Sequence, residues 1–245
     1  MPSPKVSLQL WSLRDQTKAD FAATVHEVAR IGFAGVETAG FGNLDATAAA
    51  AALRDAGLTV SGMHVGIQVL RTELNRAIDE ALLCGATDVI VPFWSPAQFR
   101  SGAAATEVGQ ELDQLGARLR GYGLRLHFHN HATELKVVDG RRVFDWMLDA
   151  AQPRNLGCEA DVYWVKVGGS DPAAFIREQG RRIRLLHLKD ETELGSGRVD
   201  FPSVFAAVES IGAVEWYVIE VEKYNHPPLE SVRRSFEQLR AWGKA

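Results

Sequence analysis

Glu134, Asp161, His187 and Glu220 are three carboxylates and an imidazole, spaced at gaps of 27, 26 and 33 residues, each at the close of a short apolar run. A strand, a helix and their two loops take roughly 30 residues, so groups at this period come from the same end of successive parallel strands. In a closed (β/α)8 barrel that end is the rim on which active sites are built. Carboxylate and imidazole donors converging there would hold a hard to borderline divalent ion. Glu220 lies inside the apolar run Val218-Ile219-Glu220-Val221, where an unpaired carboxylate is costly to desolvate and a shared cation would offset the cost. A metal that chelates a ketone oxygen and the neighbouring hydroxyl acidifies the carbon between them, giving a metal-stabilised enediolate. Glu134 and Glu220, from strands five and eight, are the expected proton-transfer pair, one for each face of the substrate. Asp161 and His187 are expected as plain ligands.

Further groups fall at predicted strand ends. His127, His129 and His131 alternate along strand five and so share a face. Direct ligation, hydrogen bonding to ligands or substrate, and polar packing all remain open for them, with His129 and His131 carried forward as substrate-binding candidates. His64, ending strand three, and Glu37, ending strand two, are candidates for substrate hydroxyls. Lys189, two residues beyond His187, shares its strand face and could steady an enolate oxygen. Trp11, Phe93, Trp94 and Trp164 offer aromatic faces; Trp11 and Trp164 are the candidates to meet a sugar ring, although packing is the commoner fate of tryptophan. Gly195-Ser196-Gly197-Arg198 lacks the Lys-Ser/Thr of a phosphate loop and reads as a turn.

The elements needed to position these groups recur from end to end. Strands are expected at 5–10, 36–37, 58–64, 88–93, 124–130, 155–159, 183–188 and 215–221. Helices are expected near 20–31, 46–56, 72–83, 103–121, 143–150, 172–179, 201–211 and 229–242. Several strands are almost continuously apolar, as in parallel sheets covered on both faces. The expected architecture is α/β, a single (β/α)8 TIM barrel over residues 1–245. A doubly wound sheet would more often show a glycine-rich loop after strand one, where this chain has Trp11-Ser12-Leu13-Arg14.

The 245-residue length suits one such barrel, and the 46% hydrophobic and 24% charged content is that of a globular chain. A formal charge of −4 gives no electrostatic reason to expect a nucleic-acid partner. No signal-peptide pattern follows Met1-Pro2-Ser3-Pro4-Lys5 and no apolar run reaches membrane-spanning length, so a cytoplasmic location is expected, without membrane association. Cys84 and Cys158 are expected to be reduced thiols. A homo-oligomer is possible, although no surface helix declares a partner.

Taken together, Gln9 through Asp15, Gly35-Val36-Glu37, Ser61 through His64, His129-Asn130-His131 with Glu134, Asp161 through Trp164, His187 through Asp190, and Glu220 resemble the sugar phosphate isomerase/epimerase family, the xylose-isomerase-like barrels. The resemblance implies one divalent metal ion at Glu134, Asp161, His187 and Glu220, most often manganese, with magnesium, cobalt or zinc as alternatives. It also implies acid–base roles for the two glutamates and a small sugar or polyol as substrate. Two departures stand at the rim: Ala132-Thr133 where the family often has Asp-Phe, and Glu222 where it commonly has Asp. The expected activity is isomerisation or epimerisation of a small sugar or polyhydroxy ketone. The alternative is a lyase or dehydratase acting by β-elimination on a keto-sugar, keto-glycoside or cyclic polyol. A non-catalytic sugar-binding barrel fits less well, and an abasic-site endonuclease is disfavoured by the acidic charge.

Overall fold

The computed structural model describes residues 3–245; Met1 and Pro2, at the head of the N-terminal stretch read above, lie outside them. Eight parallel strands form a closed barrel: β1 (Lys5–Gln9), β2 (Gly35–Thr38), β3 (Thr59–His64), β4 (Asp88–Val91), β5 (Arg125–His129), β6 (Leu156–Asp161), β7 (Ile183–Leu188) and β8 (Trp216–Ile219). Each pairs with its neighbours in sequence, and β1 closes on β8 with Leu8 opposite Ile219. Between strands run helices whose apolar faces pack on the outside of the barrel. Asp20, Asp45, Ser101, Asp171 and Asp200 start five of them, each accepting the main-chain N–H three residues on.

The observed strands differ from expectation mainly at their rim ends. β6 continues to Asp161, two residues past the expected stop, because Ala160 and Asp161 keep pairing with Leu186 and His187. β8 stops at Ile219, since the Val221 N–H turns away to the Ser12 hydroxyl. Three short helices escaped the sequence reading: Arg14–Ala19, Ile67–Thr72 and Val162–Val167. At six residues each, they show too little apolar period to be recognised.

Two register shifts interrupt the ladders, one at Val36/Glu37 against β3 and one at Cys158/Glu159 against β7. Ser61 and Arg184 are the extra residues on the partner strands. Such bulges re-aim the side chains beside them, and here the re-aimed residues are two glutamates. Gly62 makes room for the first: a Cβ there would stand 2.9 Å from Glu37 Oε2 and 2.5 Å from Ile90 Cδ1.

The barrel axis is layered. Leu185, Trp216 and Val218 form a small apolar cluster separate from the main core between strands and helices. At the N-terminal end Asp88 accepts from Arg125 Nη2 at 2.6 Å and from His127 Nε2 at 2.7 Å, while Arg125 also reaches Glu215 at 2.9 Å. Burial alone would raise the Asp88 pKa, but His127 and Arg125 outweigh it and hold the carboxyl well below its ordinary range. This end is far from the rim chemistry and serves stability. Asp88→Ala should therefore cost about 3 kcal/mol in denaturant unfolding at pH 7. A depressed folded-state pKa contributes stability in full above roughly pH 4 and loses it as the pH falls below that value. The difference between wild type and variant should thus shrink by more than about 1 kcal/mol by pH 3; a constant difference would refute the assignment.

Candidate metal centre and substrate cavity

At the C-terminal end of the barrel, two buried glutamates organise three imidazoles. Glu37 Oε1 accepts from Gln9 Nε2 at 2.6 Å and faces His187 Nε2 and His64 Nε2, both at 2.8 Å. Glu159 Oε2 faces His64 Nε2 at 2.9 Å, His129 Nδ1 at 3.0 Å and His187 Nε2 at 3.3 Å. Each of these ring nitrogens meets a glutamate oxygen. The opposite nitrogens of His129 and His187 are left to face the rim.

There they meet two acids. His129 Nε2 and His187 Nδ1 each lie 3.9 Å from Asp161 Oδ2, and His187 Nδ1 is 3.4 Å from Glu220 Oε2. One donor atom from each of His129, Asp161, His187 and Glu220 falls within 4.8 Å of all the others. Donors bound to one ion at about 2.1 Å stand roughly 3.0–3.4 Å apart, so a modest contraction would close this set on a cation. Asp161 spends its other oxygen capping the helix Val162–Val167, accepting from the Trp164 N–H at 2.8 Å. Asp161 Oδ2 and His187 Nδ1 are buried with no hydrogen-bond partner. Unsatisfied buried polar atoms are uncommon, and here both point into one four-donor group. Two imidazoles backed by carboxylates and two acids make a donor set suited to a divalent transition ion.

The electrostatics of the cluster show how crowded its acids are. Burial works against charge on Glu37, but His64 and His187 hold its pKa well below the ordinary value. Burial and the adjacent Glu37 push Glu159 well above its ordinary value. Burial would lower His187, but Glu159 and Glu37 raise it well above the usual imidazole range. Burial, then the charge on His187, keeps His129 low. Burial lifts Asp161 to about 6. Glu220 is held low despite burial, chiefly by Lys189, whose Nζ donates to Glu220 at 3.0 Å and to Glu222 at 2.6 Å.

A cavity of about 420 Å3 opens over this group. His64, His129, His131, Glu220 and Glu222 line it together with Trp11 and Phe93, the two aromatics being solvent-exposed and His129 and Glu220 buried. Of the expected substrate-binding residues, Trp11, His64, His129 and His131 thus reach the cavity. Glu37, Lys189 and Trp164 are not among the cavity-lining residues: Glu37 grips the imidazoles, Lys189 holds Glu220, and Trp164 packs between His131 and the Lys189 ammonium.

Asp161, His187 and Glu220 come together as their spacing predicted, whereas Glu134 lies outside the four-donor group. The chain leaves β5 through a 3-10 turn, Ala132–Leu135, that folds the Glu134 carboxylate back onto the His131 main-chain N–H at 2.8 Å. The His131 side chain reciprocates by accepting the Glu134 N–H, forming a capping box. Burial and Lys189 hold His131 at about 4, while burial lifts Glu134 to about 7. In the four-donor group the atom nearest the end of β5 comes from His129. Glu159 and Gln9 were missed altogether; the detectable signal was Glu159 standing two residues before Asp161, on the same strand face.

Residues 25–242 match the family model of the xylose isomerase-like TIM barrel. Among curated proteins, rhizopine catabolism protein MocC of Rhizobium meliloti is 26% identical over 157 residues, 54% of this chain and 47% of its own. An inosose dehydratase of Lacticaseibacillus casei is 22% identical over 136 residues, 46% of this chain and 45% of its own. The chain thus aligns with about half the length of the curated relatives it matches. Among solved structures, a sugar phosphate isomerase/epimerase from Parabacteroides distasonis superposes with a TM-score of 0.87 at 23% identity, covering 98% of this chain and 95% of that one. D-allulose 3-epimerase from Methylomonas sp., in complex with D-allulose, superposes with a TM-score of 0.78 at 15% identity, covering 98% of each. At these identities the structural likeness is one of fold. No helix among the described residues is long and apolar enough to cross a membrane, and Cys84 and Cys158 are both free thiols.

Calorimetric titration of chelator-treated protein with Mn2+ separates the two candidate ligand sets. Uptake should reach about one ion per chain, be lost in Asp161→Asn, and weaken roughly 10- to 100-fold in Glu159→Gln, which loosens the His129 ring. Glu134→Gln should leave the affinity within about twofold, since it removes no donor from the group. Loss of uptake in Glu134→Gln together with retention in His129→Asn would restore the ligand set expected from spacing.

Proposed function

The chain belongs to the xylose isomerase-like TIM barrel family, and on that premise we propose that it is a divalent-metal-dependent isomerase or epimerase of a small sugar or polyhydroxy ketone. The observation that carries this reading is the four-donor group His129, Asp161, His187 and Glu220 at the floor of a sugar-sized cavity. Manganese is the leading candidate, with cobalt or zinc next; two imidazoles make magnesium the weaker choice. When bound, the ion supplies Lewis-acid polarisation of the substrate carbonyl and the adjacent hydroxyl.

The chain's own residues then divide the proton work. Glu220, on the cavity wall and kept ionised by Lys189, is assigned as the group that takes the proton from the carbon beside the carbonyl. On the β5 side, His131 presents a ring N–H whose tautomer is set by the Glu134 main chain. It is assigned to donate toward the substrate oxygen or carbon on that side. Glu134 acts through His131 as a positioning residue. His64, its Nε2 committed to Glu37 and Glu159, is left with Nδ1 to accept from a substrate hydroxyl.

A lyase reading stands beside this one, favoured by the likeness to an inosose dehydratase. Glu220 would remove the same proton, the β C–O bond would break, and His131 would protonate the departing oxygen. Metal-loaded protein incubated in D2O with a panel of aldoses, ketoses and inososes separates the readings by mass spectrometry. Isomerisation or epimerisation should add one deuterium with no other change in composition, whereas elimination should yield a product lighter by water. His131→Phe should lower kcat roughly 100-fold while metal content stays near one per chain. Turnover with neither deuterium uptake nor water loss would refute both readings.

A further inference from the structure

We infer that the cavity carries an outer subsite, built by Trp11 and Phe93, that takes a second ring attached to the polyol held at the four-donor group. The inference rests on the functional reading above and specifies the substrate class. It starts from size. A six-carbon sugar has twelve heavy atoms, and each bonded atom occupies well under the roughly 30 Å3 that a whole water molecule takes in the liquid. The cavity of about 420 Å3 therefore leaves space beyond a single sugar ring.

The chemistry of that space is apolar. Trp11 is 46% exposed and Phe93 56% exposed, and both border the same cavity. Single exposed aromatics are ordinary on a protein surface, but two on the mouth of one polar pocket leave an apolar surface that a ligand can cover. The charged groups that line the cavity are Glu220 and Glu222, and no lysine or arginine is among the lining residues. The outer group is therefore an uncharged ring with an apolar face, either an aromatic aglycone or the C–H face of a second pyranose.

Both aromatics adjoin the inner cluster. The Trp11 main-chain N–H donates to Gln9 Oε1 at 2.9 Å, and Gln9 Nε2 is the group that grips Glu37. Arg14 lies over the Trp11 ring at 5.3 Å and is itself tied to Tyr224 at 2.9 Å, which orients the indole. Phe93 meets His131 edge-on at 6.3 Å, and His131 meets His129 edge-on at 5.0 Å. An apolar ring covering either aromatic would extend from the sugar held at the four-donor group.

Calorimetric binding to metal-loaded protein tests this without turnover. The probes are glucose, galactose and xylose, each as the free sugar and as its phenyl glycoside, together with cellobiose and lactose. At least one ring-bearing ligand should bind roughly tenfold or more tightly than its parent sugar. That gain, taken as the ratio of ring-bearing to free-sugar affinity in the same protein, should fall to about twofold in Trp11→Ala and in Phe93→Ala and be largely kept in Trp11→Phe. Preference for phenyl glycosides alone identifies an aromatic aglycone, and equal gain with the disaccharides identifies any second ring. No gain for any pair, or a gain that survives both alanine variants, overturns the subsite. Failure of the functional reading is seen separately, as absence of metal uptake or of deuterium exchange.

Discussion

Two carboxylates buried at the barrel axis, Glu37 and Glu159, set the terms for everything at the rim. A charge in that position survives only if it is paired and hydrogen-bonded. The available partners are the ring nitrogens of His64, His129 and His187. Once one nitrogen of His129 and of His187 has been engaged from below, the lone pair of the other has a single direction left, toward Asp161 and Glu220. The tautomer and aim of the outer donors thus follow from satisfying the inner acids. The two bulges and Gly62 are the backbone adjustments that let the glutamates stand there. Burial and the neighbouring Glu37 raise the Glu159 pKa, and the two glutamates raise that of His187 against its burial. A divalent ion among Asp161, Glu220 and the two imidazoles would place a centred positive charge among these acids.

The same residue type does different work at different depths of one strand. His127, His129 and His131 lie two residues apart, and successive same-face residues are roughly 6–7 Å apart along a strand. His127 meets Asp88 at the N-terminal end, His129 meets Glu159 and the donor group, and His131 passes beyond the strand into the cavity wall. Their surroundings, rather than their chemistry, decide which is structural. Asp88 at 2.7 Å, with Arg125 behind it, leaves His127 no access to substrate.

This depth dependence explains how much of the site was legible in the sequence. The eight strand–helix units and the barrel could be read because apolar runs repeat at a near-constant length. Asp161, His187 and Glu220 could be placed together because each ends such a run. Glu134 and His129 could not be separated by spacing. Both lie near the end of β5, and the 3-10 turn that withdraws Glu134 is a matter of backbone geometry with no signature in Ala132-Thr133. Glu159 went unnoticed because β6 was expected to end on it. Two further residues of strand put it on the same face as Asp161, where alternation would have paired them. The bulges left no trace in residue type.

The rim shows a further division, between chemistry fixed by strands and selection supplied by loops. Glu222 stands where the resembling family commonly has Asp, and its longer side chain does two things. It reaches Lys189 at 2.6 Å and also lines the cavity. Lys189, the cation behind this wall, is thereby shared between Glu220 and Glu222; burial alone would lower its pKa, but Glu220, Asp161 and Glu222 outweigh it and raise it. Its charge is neutralised within the protein before any substrate arrives. A phosphoryl or carboxylate group entering the cavity would face two carboxylates and no lining lysine or arginine, an arrangement that repels anions at short range. A neutral polyol meets no such penalty, because its hydroxyls can donate to Glu220 and Glu222 and accept from His131. Lys189 therefore stands behind Glu220 and Glu222 rather than on the cavity wall, its ammonium group divided between the two carboxylates.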